Sequence, residues 1–145
     1  MKPRYVLSVI WLFGLAVSLI IVAVYLRQPE DEIPFTFPDE RGLYLQPIAT
    51  LYGTIITGIL ASWFVKRFSP PKIDPEAHAL FKLALICTLI WNIGTIYLIG
   101  HRLVWPDQAG TLLGDFETAK NFGMWFGFLV APVNFYYFGI KPTPV

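Results

Sequence analysis

Residues 5–26 read YVLSVIWLFGLAVSLIIVAVYL, an unbroken apolar run that contains no formal charge. A hydrocarbon core ~30 Å thick is crossed by about 20 helical residues, because each residue rises about 1.5 Å. A continuous helix also satisfies its own backbone hydrogen bonds, which a segment inside a bilayer requires. This stretch therefore predicts a transmembrane helix, and the other apolar stretches of the chain are compared with it in length and charge.

Three further stretches have a similar length and character. They are residues 43–65, 79–100 and 122–140, and Lys82 is the only formal charge inside them. Hydrophobic residues make up 55% of the chain and charged residues only 14%, a balance that is rare in soluble domains. The loops are too short for a second core. The 145 residues therefore predict one all-α domain, an integral membrane bundle of four transmembrane helices.

The first stretch also has to be compared with a cleaved signal peptide, because Lys2 and Arg4 precede it. The apolar run is longer than the about 7–15 residues of a signal-peptide core. It ends at residues 24–27, VYLR, which lack the small residues of a cleavage site. We therefore expect this segment to be retained as a membrane anchor.

Lysine and arginine are distributed unevenly between the two ends of the predicted helices. One side carries seven of them: Lys2, Arg4, Lys66, Arg67, Lys72, Lys82 and Lys141. The other side carries four: Arg27, Arg41, Arg102 and Lys120. Because an excess of these residues marks the cytoplasmic side, we predict that both termini are cytoplasmic and that the membrane is a bacterial inner membrane.

Local motifs predict where the third and fourth helices begin. Residues 74–76, DPE, offer a carboxylate cap followed by a proline, so the third helix is predicted to start near Pro75. Residues 114–115, GD, predict a cap for a fourth helix that starts near Phe116.

Small residues recur at four-residue spacing on two of the predicted helices. The second helix carries Thr54, Gly58 and Ser62, and the fourth carries Gly123, Gly127 and Ala131. Lipid provides no hydrophobic drive for helix association, so faces of small residues favour packing by letting backbones approach closely. We expect these faces to pack helices within the chain. A seam between copies and a hydroxyl-lined pore are the alternatives.

Polar residues are sparse inside the predicted helices. Thr88, Asn92 and Thr95 share a face of the third helix, and Asn134 lies on the fourth. Asparagine is costly in hydrocarbon unless it is hydrogen-bonded, so we expect these side chains to bond across helices rather than to form a substrate path. No Asp, Glu, Arg or His lies deep in a predicted helix, which disfavours proton-coupled transporters and ion pumps.

The sequence contains no catalytic or metal-binding signature. His78 and His101 are its only histidines, and the ~34 Å of helix between them prevents both from binding one metal or haem. Cys87 is the only cysteine, and we interpret it as a small buried apolar residue. We expect no enzymatic activity, no cofactor and no nucleic-acid partner.

The first loop, residues 27–42, places Phe35 and Phe37 between acidic clusters, and we interpret both as candidate docking residues for a partner. The favoured hypothesis is a non-catalytic accessory subunit of a larger membrane complex, such as a respiratory or photosynthetic one. Its expected partners are membrane lipid and other integral membrane subunits or itself. The alternative is a homo-oligomeric channel or small-solute permeation protein that is lined by the second and third helices.

The predicted topology can be tested with a membrane-impermeant thiol reagent. With Cys87 replaced by alanine, Ser69→Cys and Thr111→Cys should be labelled from opposite faces of sealed vesicles, because the third predicted helix separates them. Labelling of both positions from the same face would rule out the four-span arrangement.

Overall fold

The computed structural model describes residues 3–27, 41–64, 75–106 and 110–138. Within these ranges the chain is helical and has no strand. The helices are α1 (Pro3–Tyr25), α2 (Arg41–Phe64), α3 (Pro75–Gly100) and α4 (Leu112–Phe138), and a short 3₁₀ turn, His101–Leu103, follows α3. The prediction of an all-helical chain is confirmed for these residues. The candidate docking residues Phe35 and Phe37 lie outside them.

Three of the helices are long and apolar enough to cross a membrane. Their candidate spans are Arg4–Arg27, Gly42–Ala61 and His78–Leu103. α4 does not reach the same hydropathy, because charged residues occupy its first turns and Asn134 and Pro132 interrupt its apolar second half. The fourth crossing and the cytoplasmic position of the termini therefore remain predictions.

α1 and α3 lie side by side and run in the same direction. A methyl group placed on Gly14 would overlap the Asn92 amide, and one placed on Gly100 would lie 3.0 Å from Ile21 Cδ1. Residue numbers therefore increase in the same direction along α1 and α3. The close approach at Gly14 needs a residue without a side chain.

α2 and α4 also run in the same direction, opposite to the other pair. Tyr44 packs edge-on against Phe116, with ring centroids 5.3 Å apart, and Leu51 contacts Gly123. Between these two contacts both helices advance by the same number of residues, so they stay in register. α2 also packs against α1, and α4 also packs against α3. α1 therefore lies diagonally opposite α4, and α2 lies diagonally opposite α3.

The start of α4 differs from the prediction. α3 begins at Pro75, as predicted, but α4 begins at Leu112, about one helical turn before the predicted start at Phe116. The reason is that Thr111 is the cap: its Oγ1 accepts the backbone N–H of Gly114 at 3.1 Å. Asp115 does not serve as the cap and instead pairs with another side chain, described below.

Large aromatic side chains fill the centre of the bundle. Trp11 of α1, Tyr52 of α2 and Trp91 of α3 are fully buried, and their ring centroids lie 4.8 to 6.1 Å apart. Edge-to-face and tilted pairs at these distances add to the stabilisation that burial provides. The core is therefore a packed centre and not a lumen.

The outside of the bundle is apolar. α1 exposes Val9, Phe13 and Ile20, α3 exposes Ile86, Ile93 and Tyr97, and α4 exposes Trp125, Phe128 and Leu129. Soluble monomers rarely expose continuous apolar surface beyond a few hundred Å². This surface is consistent with a membrane protein whose helices face lipid or other protein.

Two glycines of the bundle provide a matched test of this packing. Gly123→Leu should lower the free energy of unfolding by ~1–3 kcal/mol, because its side chain would collide with Leu51 and Trp91. Gly53→Leu should not lower it, since a methyl group there meets no atom within 4 Å. Denaturant unfolding in detergent measures both, and equal losses would contradict the packing of α2 on α4.

Candidate functional site

Hydrogen-bonded polar side chains cross the middle of the bundle. The Tyr52 hydroxyl of α2 donates to Asn92 Oδ1 of α3 at 3.2 Å, and Ser18 Oγ of α1 lies 3.1 Å from the same hydroxyl. Because tyrosine has a single hydroxyl proton, Ser18 is the donor in the second bond. Asn92 Nδ2 donates in turn to the backbone carbonyl of Thr88 at 2.9 Å. These contacts connect three helices.

Asn134 of α4 brings the fourth helix into this network. Its Oδ1 accepts the Trp11 indole N–H at 3.1 Å. Its Nδ2 donates to Thr88 Oγ1 at 3.1 Å and to the Val130 carbonyl at 2.9 Å. A buried amide is costly unless it is hydrogen-bonded, so this single side chain ties α4 to both α1 and α3.

Two of these hydrogen bonds run across the diagonals of the bundle. Trp11 to Asn134 joins α1 with α4, and Tyr52 to Asn92 joins α2 with α3. Beside them, the Trp91 indole donates to the Gly123 carbonyl at 3.1 Å. The polar atoms at the centre are therefore bonded to one another, and the rings that carry them occupy the space between the helices.

Three buried hydroxyls make no hydrogen bond of good geometry within the described residues. They belong to Ser8, Tyr25 and Thr95, and each is almost completely buried. Thr95 is the one predicted intramembrane polar residue outside the network, although it lies on the same face of α3 as Asn92. Leaving a buried hydroxyl unpaired costs about 1–3 kcal/mol, so the hydroxyls of Ser8 and Thr95 do not help to hold the helices together.

Charged side chains meet where α3 ends and α4 begins. Arg102 Nε donates to Asp115 Oδ2, and His101 Nε2 lies 3.8 Å from the same oxygen. His101 Nδ1 lies 3.0 Å from the Leu98 carbonyl, which places the ring against its own helix. This cluster links the turn after α3 to the first turn of α4.

An open groove of about 370 Å³ runs between α2 and α4 on the outside of the bundle. Thr50 and Thr54 line it from α2, Gly127 and Phe128 line it from α4, and Trp91 of α3 lies at its base. Gly127 leaves open space, since a methyl group there would meet no atom within 4 Å. We call this feature the α2/α4 groove.

The structure places the predicted small residues in different environments. Gly123 is buried against Leu51 and Trp91 at the inner edge of the α2/α4 groove, and Gly127, Ala131 and Thr54 line the same groove. Gly58 is half-buried on α2, and the side chain of Ser62 lies outside the described residues. Within one chain, Gly123 makes the close helix contact, and Thr54 and Gly127 face outward.

Sequence reasoning identified the polar side chains of the network but not their aromatic partners. Thr88, Asn92 and Asn134 stand out because they are polar in an apolar stretch. Trp11 and Tyr52 do not stand out, since an aromatic residue also suits lipid or a packed core. Their position in the middle of predicted helices could have identified them, because an indole or phenol far from the membrane surface needs a buried hydrogen-bond partner.

Comparisons with known proteins assign no role to these features. No family model matches the chain, and neither a curated protein nor a solved structure does. Among the described residues no group of three or more His, Cys, Asp or Glu side chains is placed to hold a metal ion. The site has to be interpreted from its own geometry.

Two threonines of α3 test whether the network holds the bundle together. Thr88→Val should lower the free energy of unfolding by ~0.6–1.7 kcal/mol, because it removes the hydroxyl that Asn134 binds. Thr95→Val makes the same chemical change where no partner is present among the described residues, so it should leave stability unchanged or raise it. Thermal unfolding in detergent compares the two. A larger loss at Thr95 would contradict the assigned network.

Proposed function

We propose that this protein is a non-catalytic accessory subunit of a larger integral membrane complex. In this proposal it crosses a bacterial inner membrane four times and has both termini in the cytoplasm. The observation that carries the proposal is the contrast between the inside and the outside of the bundle. The central polar groups are bonded to one another, while the α2/α4 groove and the exposed rings of α4 face outward.

The register between α2 and α4 supports the fourth crossing. The register that sets Leu51 beside Gly123 also sets residues 114–133 of α4 beside the candidate span Gly42–Ala61. A helix that lies in register beside a membrane span shares its depth. Asp115 and Glu117 are then level with residues 43 and 45 at the start of α2, near the membrane surface, where charge is tolerated. Lys120 is level with residue 48, from which a long side chain can extend toward that surface.

The alternative, a channel lined by α2 and α3, needs its hydroxyl and amide groups on one shared surface. Thr54 faces outward from α2, whereas Thr88, Asn92 and Thr95 are buried inside the bundle. Tyr52 and Trp91 lie between these two positions and pack edge-on, with centroids 5.0 Å apart. A common pore would require this centre to open, so the arrangement favours the accessory subunit.

Co-purification tests the proposal. A tagged copy extracted from its native membrane in mild detergent should bring down a constant set of integral membrane subunits. Phe35→Ala combined with Phe37→Ala should release them, because these rings are the candidate docking residues of the first loop. The control is Phe13→Ala, which removes an exposed ring from α1 and should retain the complex.

Reconstitution distinguishes the subunit from the channel. The purified protein in planar bilayers should pass no ions, because its described interior is packed and offers no ring of charge to select them. Reproducible single-channel currents that are abolished by Thr54→Trp or Asn92→Trp would overturn the proposal in favour of the channel.

A further inference from the structure

The turn that follows α3 has apolar side chains on its outside and charged side chains on its inside. We propose that this turn, residues 103–105, lies in the headgroup layer of a phospholipid bilayer and holds α3 at a fixed depth. We call it the anchor turn. Its outer surface contacts phospholipid in this proposal, and not water or another protein.

The polarity of the anchor turn is the reverse of that expected in water. Leu103, Val104 and Trp105 are 38%, 66% and 52% exposed. Beside them the charged side chains of Arg102 and Asp115 are only 13% and 18% exposed, and they bind each other. Water favours the opposite arrangement, because it drives apolar groups inward and hydrates charge. The arrangement therefore indicates surroundings that are less polar than water.

The backbone of the anchor turn suits the same layer. The N–H groups of Val104 and Trp105 both donate to the carbonyl of His101, at 3.1 and 2.9 Å. Neither donor then depends on water, and a segment at the edge of the hydrocarbon core needs its backbone groups satisfied in this way.

The spacing of charge along α3 matches the thickness of one bilayer. Lys82 is exposed, and the next charged residue of the chain is Arg102, 20 residues later. A helix of that length rises about 30 Å, which is the thickness of a hydrocarbon core. The Lys82 ammonium then lies near the phosphates of one surface, and the anchor turn lies at the other surface.

α1 places its charges at the same two levels. By the register that sets Gly14 against Asn92, Arg4 is level with Lys82. The next charged residue of the chain after Arg4 is Arg27, which the same register sets level with residue 105. A protein docked on one side of the bundle would not require two helices to agree in this way, whereas a bilayer does. The agreement therefore favours phospholipid as the surroundings of the anchor turn.

Trp105 is the residue of the anchor turn best suited to hold this depth. An indole combines a large apolar body with one N–H group, and tryptophan is enriched where membrane meets water for that reason. Leu103 and Val104 lie on the hydrocarbon side of Trp105 along the chain and add apolar contact there. The anchor turn thus has an apolar part and an amphipathic part in the order that a membrane surface requires.

This inference rests on the membrane crossing in the proposed function, but not on the role of accessory subunit. Channel currents or a lack of co-purifying subunits would contradict that role and leave the anchor turn in place. The depth of the middle of α3 reports the crossing itself, so it is measured beside the depth of the anchor turn.

Depth measurements test the proposal with a matched pair of positions. In a Cys87→Ala background, a nitroxide label is attached at Val104→Cys or at Ile93→Cys, whose native side chains are 66% and 65% exposed. The protein is reconstituted in vesicles of phosphatidylcholine and phosphatidylglycerol. Collisions with oxygen and with a water-soluble nickel chelate then report the depth of each label. The label at 104 should lie in the headgroup layer, and the label at 93 should lie about 16 Å deeper, because 11 residues separate them.

Removal of the indole tests whether Trp105 holds this depth. In bilayers of a longer-chain phosphatidylcholine, a helix that is too short for the hydrocarbon core is drawn inward unless interfacial residues resist. Trp105→Ala should therefore shift the label at 104 toward the hydrocarbon by ~3 Å or more, the rise of two helical residues. Trp125→Ala is the control, because it removes an exposed indole that is level with residue 53 inside the candidate span Gly42–Ala61. It should leave the depth of the label unchanged.

Four outcomes overturn the proposal. A label at 104 in bulk water would place the turn outside the bilayer. A label at 104 that neither reagent reaches would mean that protein covers the turn. Equal effects of Trp105→Ala and Trp125→Ala would remove the anchoring role of the indole. Each of these, with the label at 93 still deep, leaves the membrane crossing intact. A label at 93 that is no deeper than the label at 104 would contradict the crossing as well.

Discussion

The amide of Asn134 is the interaction on which the rest of the bundle depends. In hydrocarbon, apolar burial does not pull helices together, so dispersion and hydrogen bonds must set their positions. One side chain of α4 accepts a hydrogen bond from Trp11 and donates one to Thr88, and so fixes α4 against α1 and α3 at the same depth. Tyr52 then joins α2 to α3 through Asn92, one turn away.

The position of the aromatic rings follows from this network. Trp11, Tyr52 and Trp91 each hold a polar atom that needs a hydrogen-bond partner where it is buried, and each finds an acceptor on another helix. Their rings therefore meet at the centre and exclude a continuous aqueous path between the helices of the described bundle. Any contact with solutes, lipid or protein has to occur on the outer faces or at the ends.

The sequence predicted four helices because three of them are long apolar runs and the second half of the fourth is also mostly apolar. It also identified Thr88, Asn92 and Asn134, since polarity inside an apolar run is visible without a structure. It could not identify which residues they bond, because that depends on the register between helices. The start of α4 was misplaced for a local reason: Thr111 and Asp115 both suit a cap, and the pairing of Asp115 with Arg102 decides between them.

The rows of small residues show most clearly what a sequence pattern cannot predict, namely which of their members make helix contacts. Four residues turn a helix through about 400°, so each step of an i, i+4 row moves about 40° around the axis. A methyl group on Gly123 would collide with Leu51 of α2, whereas one on Gly127, one step later, would meet no atom within 4 Å. A row that begins inside the bundle thus leaves it within two turns. The same row of small residues therefore makes one helix contact within the chain and also forms part of the outer surface.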